Sequence, residues 1–282
     1  MSKYQYAPLF QIRSLIILYT SYTYTITTYK NIAICVLSTL ELDTIICGDC
    51  LEVMPQIPDK SIDIVLADLP YGVTACKWDT PLPLDDLWHE WLRICTGAIV
   101  LTGTQPFTTT LIMSRPDLFK YEWIWEKTKT SNFMNANKMP LKFHENILVF
   151  YKKLPTYNPI KREGAPHKSN RVSFKMPKTY GTNQERTRDT KFNNEGLLFP
   201  STVLKIASVD TRHNILLSTQ KPVALFEYLI RTYTNEGDTV LDPTAGSGTT
   251  AVACRKSNRH YICIEKEQEY VDIANKRLSE ML

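Results

Sequence analysis

The chain has 282 residues, 43% hydrophobic and 22% charged; these proportions exclude a disordered or collagen-like chain and predict one large α/β domain with room for an insertion. No apolar run approaches the roughly 18 residues of a membrane-spanning helix, which argues against an integral membrane protein. The net charge of +4 is unevenly divided, because residues 152–191 carry eleven Lys or Arg against three acids and the rest of the chain is −4. A mildly acidic body with one strongly basic segment suits a polyanion met at one place, although a solvated loop has the same composition.

Residues 1–41 read as an N-terminal extension of unknown role: the first 40 hold no Asp or Glu and are rich in Tyr, Thr and Ile around 19–29. From residue 42 the pattern becomes regular. Residues 44–47 and 61–67 are short apolar runs, ending at Gly48-Asp49 and at Asp68-Leu69-Pro70-Tyr71-Gly72. Residues 84–95 place Leu84, Leu87, Trp88, Trp91, Leu92 and Cys95 on one helical face. Gly97 is expected to end that helix, with a buried strand at 98–101 and further strands at 121–125 and 146–151. Residues 152–205 break the rhythm, with Lys, Arg, Asn, Thr and Pro around scattered aromatics, and read as a basic insert. Order returns with a helix over 221–232, whose Pro222 suits a first turn, and a strand over 239–241. A glycine loop, a helix to about 256, a strand over 260–264 and a helix over 268–282 follow. Strands alternating with helices predict a doubly wound, mostly parallel sheet within residues 42–282.

Seven scattered cysteines, an odd number, suit a reducing, intracellular setting. Cys47 and Cys50 form a C-x-x-C, but no second pair or histidine cluster completes a zinc set, so no metal is expected. His89, His144, His167, His213 and His260 read as surface or satisfied core residues. Trp123 and Trp125 alternate as strand residues that pack. Asn132, Asn135 and Asn137 fall in a polar loop, either a plain connection or a contact to sugar–phosphate.

Two segments carry chemistry. In Asp242-Pro243-Thr244-Ala245-Gly246-Ser247-Gly248-Thr249-Thr250, the glycines lie between a strand and a helix, where backbone approaches a ligand closely and helix N–H groups point at it. Gly246-x-Gly248-x-x-Ala251 fits a dinucleotide fingerprint, and Glu265, seventeen residues beyond Gly248 at a strand end, stands where a ribose-binding acid belongs. This reading specifies an adenosine-containing cofactor without saying which. No Lys-Ser/Thr pair closes the loop, so a P-loop is disfavoured. Asp68-Leu69-Pro70-Tyr71 puts an acid, a stiffened carbonyl and an aromatic ring at a strand's C-terminal end, where ligands of open α/β sheets bind. Carboxylate and carbonyl can share the two hydrogens of one amino group while the ring stacks on a flat base.

These two segments resemble the paired motifs of the S-adenosylmethionine-dependent amino methyltransferases of DNA. There a D/N/S-P-P-Y/F/W motif receives a flipped-out base, and a D-P-F-x-G-S/T-G-T loop holds the methionine end of the cofactor. The order, catalytic motif first, basic segment next and cofactor loop last, is similar to the family's permuted β class. Thr219-Gln220-Lys221-Pro222 resembles the T-Q-K-P that precedes the loop, and Gly48-Asp49-Cys50-Leu51 the strand end beside the cofactor adenine. The resemblance spans about residues 42–282, with Leu69 in place of the usual first proline. It implies a Rossmann-like methyltransferase fold with 152–205 as an inserted target-recognition region. It assigns Asp68, Leu69, Pro70 and Tyr71 to catalysis. To S-adenosylmethionine it assigns Asp49, Lys221, Asp242, Thr244, Gly246, Gly248, Thr249 and Glu265. Lys161, Arg162, Arg171 and Lys175 are the candidates for contact with double-stranded DNA. It further implies a prokaryotic or phage-encoded, cytoplasmic, nucleoid-associated enzyme, with a homodimer and a cognate restriction nuclease as conceivable partners.

The leading expectation is methyl transfer to the exocyclic amino nitrogen of adenine, since aspartate at the first motif position favours adenine in the family and serine favours cytosine. Cytosine by the same constellation is the nearest alternative. A nicotinamide-dependent oxidoreductase would use the glycine loop but leaves Asp68–Tyr71 unexplained, and a non-catalytic DNA-binding protein is the remaining class. No covalent intermediate is needed, so Cys76 and Cys95 require no nucleophilic role.

Overall fold

Eight segments join one sheet: Thr44–Cys47 (β1), Ile62–Ala67 (β2), Cys95–Gly103 (β3), Phe119–Glu126 (β4), His144–Phe150 (β5), Val203–Lys205 (β6), Thr239–Asp242 (β7) and His260–Glu265 (β8). The computed structural model describes residues 28–29, 32–33, 40–72, 79–130, 133–166, 168–171, 190–193, 196–209 and 220–281. The spatial order is β6-β4-β5-β3-β2-β7-β8-β1. Every neighbouring pair is parallel except the two made by β5, which runs against both β3 and β4. Strands β2 and β7 are nearly continuous runs of buried residues, as expected where helices cover both faces of a parallel sheet. The chain passes from β2 outward to β3 on one side and returns with β7 on the other. The crevice beyond their C-terminal ends is the topological switch point of the sheet.

Among the described residues, six α-helices pack around this sheet: Cys50–Val53 (α1), Leu84–Ile94 (α2), Phe107–Ser114 (α3), Val223–Tyr233 (α4), Thr249–Lys256 (α5) and Gln268–Ser279 (α6). Leu225, Phe226, Leu229 and Ile230 of α4 share a core with Ile64 and Leu66 of β2 and with Trp123 and Trp125 of β4. Both tryptophans are buried and satisfied, Trp123 Nε1 donating to the Tyr233 hydroxyl at 2.7 Å and Trp125 Nε1 to the Ile206 carbonyl at 2.8 Å.

Three local expectations are corrected. Gly97 does not end α2; it lies inside β3, and a Cβ there would stand 2.1 Å from the Asp63 carbonyl oxygen. The glycine is a close-approach residue between β2 and β3, and Cys95 starts the strand. Leu92 is 39% exposed and so lies off the buried face of α2. Helix α3 was not expected, because its three consecutive threonines favour strand over helix; burial of Phe107, Thr108 and Leu111 holds it.

Residues 1–41 and 42–282 form separate compact units. In the first, Thr28–Tyr29 pairs antiparallel with Ile32–Ala33. Within the basic segment, Arg162–Glu163 pairs with Leu197–Leu198 and Lys168–Arg171 with Thr190–Asn193, both antiparallel. Its two ends belong to the main body. The Asn158 N–H donates to the Thr232 carbonyl at 2.7 Å and Asn158 Nδ2 to the Thr234 carbonyl at 2.9 Å, and β6 is the edge strand beside β4.

Candidate active site

Asp68 follows the last residue of β2 and faces the switch-point crevice. Its Oδ1 accepts the Tyr71 hydroxyl at 2.7 Å and, in a shorter bond, the hydroxyl of Thr102 from the end of β3. Its Oδ2 accepts from Lys221 Nζ at 2.5 Å. Two hydroxyl donors saturate the two lone pairs of Oδ1, whereas Oδ2 keeps one. An amino group entering the cleft therefore meets this carboxylate at Oδ2, beside Lys221.

Lys221 directly precedes the Pro222 N-cap of α4, and its side chain is only 9% exposed. Nζ stands 3.5 Å from Glu145 Oε2 and 5.6 Å from the centroid of the Tyr71 ring. Burial pulls the ammonium pKa down, but Asp68 and Glu145 more than offset it, and the net shift is upward. The side chain thus pairs with the two carboxylates, on the wall of the cleft where the resemblance makes it a cofactor residue. Its backbone meets the glycine loop, with Thr249 Oγ1 donating to the Lys221 carbonyl at 3.3 Å.

Glu145 reaches this place because β5 is reversed: its N-terminal residues lie at the edge where the parallel strands end. Oε1 is held in a short ion pair by Lys127, which follows β4, and among the described residues no donor hydrogen-bonds the buried Oε2. Thr102, Glu145 and Lys127 escaped the sequence reading. The available signal was an acid, in His144-Glu145-Asn146, at the mouth of an otherwise apolar strand.

The glycine loop folds as its residue types require. Asp242 is 2% exposed and turned inward, accepting from the Thr244 N–H at 3.0 Å and from the Thr250 hydroxyl. Its pKa is raised to about 7, chiefly by burial and further by Asp68 and Glu265, against the two hydrogen bonds that lower it. Gly246 and Gly248 have φ of 52° and 74°, and a Cβ on Gly248 would come within 2.6 Å of the Ala274 Cβ on α6. Glu265 Oε2 accepts the Gly246 N–H at 2.7 Å and Oε1 the Glu267 N–H at 2.9 Å, which leaves further lone pairs on both oxygens. Thr244 Oγ1 donates to the Asp68 carbonyl at 3.2 Å, tying the loop to the β2 motif. Asp49 caps α1 through the Leu51 N–H at 3.0 Å and pairs with Lys266 at 3.1 Å. The bond to the Leu51 amide holds its pKa below the usual value against partial burial, with help from Lys266.

The β2 motif, the glycine loop, Asp49, Glu145, Lys221 and Glu265 line one cleft of about 870 Å³, with Gly248 and Thr102 behind its wall, a size suited to a cofactor-sized ligand. Asp49, Asp68, Leu69, Pro70, Tyr71, Lys221, Asp242, Thr244, Gly246, Thr249 and Glu265 are on its wall. Lys161 and Arg162 are exposed and away from that wall, with Lys161 Nζ 5.7 Å from the centroid of the Phe199 ring. Arg171 ends the strand Lys168–Arg171; Lys175, like Cys76, lies outside the described residues. Burial pushes the Cys95 thiol up to about 12 and the Cys50 thiol, with help from Asp49, up to about 11. Neither is a thiolate near neutral pH.

A DNA methylase family model matches residues 62–276, which contain both motifs. The chain is 30% identical over 274 residues to the Type II methyltransferase M.HinfI of Haemophilus influenzae, covering 85% of this chain and 69% of that one. It is 27% identical over 248 residues to the Type II methyltransferase M.HpaI of Haemophilus parainfluenzae, covering 83% and 73%. Among solved structures, the M1.HpyAVI–SAM complex superposes with a TM-score of 0.56 at 25% identity, over 83% of this chain and 98% of that one. The PvuII cytosine-N4-specific DNA methyltransferase shares the fold, with a TM-score of 0.58 at 18% identity over 85% of this chain and 87% of its own. The chain belongs to the DNA methylase family and is an S-adenosylmethionine-dependent amino methyltransferase of DNA.

Proposed function

We propose that the methylated atom is the exocyclic amino nitrogen of adenine, received out of the duplex by Asp68, Leu69, Pro70 and Tyr71. The observation that carries this reading is Asp68 itself: a carboxylate pinned on Oδ1 by two hydroxyls, with an open lone pair on Oδ2 at the cleft. Flipping costs a few kcal/mol of unpairing and unstacking, which the Tyr71 ring offsets by stacking, a contact worth about 1–3 kcal/mol. Asp68 Oδ2 takes one amino hydrogen and the Leu69 or Pro70 carbonyl the other, which orients the nitrogen lone pair. Positioning of this kind carries much of the rate.

The cleft fits S-adenosylmethionine. Among the described residues, Ser208 Oγ and Gln220 Oε1 are buried on its wall without hydrogen-bond partners, and such atoms call for a polar ligand. The wall is rich in acceptors, Asp49, Asp68 and Glu265, complementary to amino and hydroxyl donors and to a cationic sulfonium. When bound, the cofactor supplies an electrophilic methyl group. Glu265 and Asp49 would hold the nucleoside end, and the Asp242–Thr249 loop, with the Thr244, Gly246 and Gly248 backbone, the methionine end.

Lys161, Arg162, Arg171 and Lys175 are assigned to DNA phosphates in a recognition region over residues 152–205. A cognate restriction nuclease is part of this reading, supported by the Type II names of the relatives, as are a homodimer and a place on the nucleoid. The test is expression in a host without its own DNA methylation, followed by mass spectrometry of the hydrolysed DNA. N6-methyladenine is expected; N4-methylcytosine in its place would overturn the base assignment.

A further inference from the structure

Glu145 and Lys221 form a buried ion pair that the reading above leaves without a task. Methylation of an amino nitrogen forms an N–C bond from the nitrogen lone pair and breaks the donor's S–C bond, whose electrons stay on sulfur. One N–H proton must then leave. Asp68 Oδ2 is the acceptor at hand, but it sits in an enclosed cleft, its partners are Tyr71, Thr102 and Lys221, and its carboxylate must be regenerated for the next turnover.

We propose that Lys221 and Glu145 relay this proton away from Asp68, with Glu145 Oε2 as the receiving atom. Lys221 Nζ lies 2.5 Å from Asp68 Oδ2 and 3.5 Å from Glu145 Oε2. It gives one of its three protons to Glu145 and takes the one that Asp68 received, so its charge is unchanged and the Asp68 carboxylate is restored. The receiving oxygen is suited to this because it is buried and, among the described residues, accepts no hydrogen bond. Lys127 holds the other oxygen and Lys142 also faces the carboxylate. Lys127 follows β4, and both its side chain and that of Glu145 are 13% exposed, a partial opening through which Glu145 can return the proton to water. Glu145 is a positioning residue in this scheme, acting through Lys221 and never touching the base.

The inference rests on the reading that Asp68 receives the amino group, so Asp68→Ala is the control for that reading. Two variants test the relay itself. Lys221→Arg keeps a cation between the carboxylates but cannot pass a proton, since guanidinium does not deprotonate in proteins. Glu145→Gln keeps the shape and removes the acceptor. Steady-state and single-turnover methylation of unmethylated plasmid DNA are both measured, with calorimetric titration of S-adenosylmethionine and thermal melting of each variant. Both variants should lose about a hundredfold in steady-state kcat, the lower range for a lost proton-transfer group, with the first turnover, KM and cofactor affinity near wild type. Glu145→Asp should recover much of the loss. Either variant turning over at the wild-type rate overturns the relay, and if one fails to fold the other decides. An active Asp68→Ala overturns both the relay and the reading beneath it, whereas an inactive Asp68→Ala beside a fast Glu145→Gln overturns the relay alone.

Discussion

Lys221 Nζ and Asp68 Oδ2 lie 2.5 Å apart although 153 positions separate them in the chain. This contact joins the segment before α4 to the end of β2 and fixes which carboxylate oxygen faces the cleft. Breaking a buried pair by removing one partner costs about 3–5 kcal/mol where the charge left behind is uncompensated, and less here because Glu145 still stands 3.5 Å from Nζ.

Asp68→Ala should retain cofactor binding and lose most methyl transfer. The lost acceptor is a preorganised group worth about 2.7–4 kcal/mol, or a hundred- to a thousandfold in turnover. The loss should appear in turnover rather than in substrate affinity. Truncation also strands Lys221, so a lowered melting temperature is expected with it. Single-turnover assays and melting curves on the same preparation check both.

Tyr71 has two functions that separate by substitution. Its hydroxyl holds Asp68 Oδ1, and its ring packs on Phe107 with centroids 5.2 Å apart. Burial, Asp68 and Glu145 all push the hydroxyl's pKa well above its ordinary value, so it remains a donor. Tyr71→Phe should keep base stacking and lose one charged hydrogen bond, about 1.5–3 kcal/mol and so on the order of ten- to a hundredfold in turnover. Tyr71→Ala should in addition weaken capture of the base, read by 2-aminopurine fluorescence.

Glu265→Ala should weaken S-adenosylmethionine binding by about ten- to a hundredfold. Two effects combine there, since the Gly246 N–H loses its acceptor as well as the ligand losing a carboxylate. Isothermal titration checks this; unchanged affinity in a folded variant would remove Glu265 from the cofactor site.

Asp242 makes a signed pH prediction. Its pKa is about 7 in the folded protein against 3.8 as a free side chain, so between these values the folded state holds more protons than the unfolded one. Its contribution to stability is complete below about pH 3.8 and declines as pH rises towards 7. Asp242→Asn cannot ionise, so the melting temperature of the variant minus that of wild type should increase from pH 4 to 8 in ligand-free protein. A flat difference would contradict the shift.

Neutralising Lys161, Arg162, Arg171 and Lys175 together should weaken DNA binding and flatten its salt dependence. Each lost phosphate contact reduces the log–log slope by about 0.9. Fluorescence anisotropy across a salt series measures it, and a wild-type slope would identify the basic run as a solvated face.

The sequence by itself determined the strands and helices that surround β2 and β7, because buried parallel strands write themselves as short apolar runs ending in acids and glycines. It determined the two chemical segments for the same reason: a backbone turning at positive φ needs Gly246 and Gly248, and a strand end carrying Asp68 needs little else around it locally. Only the tertiary structure decided that Lys221 pairs with Asp68 and Glu145, because a lysine's partner depends on what stands within a few ångströms and not on its neighbours in sequence. The same holds for Glu145. An apolar run has no direction of its own, and it is the antiparallel pairing of β5 with β3 and β4 that carries this acid to the edge where the parallel strands end.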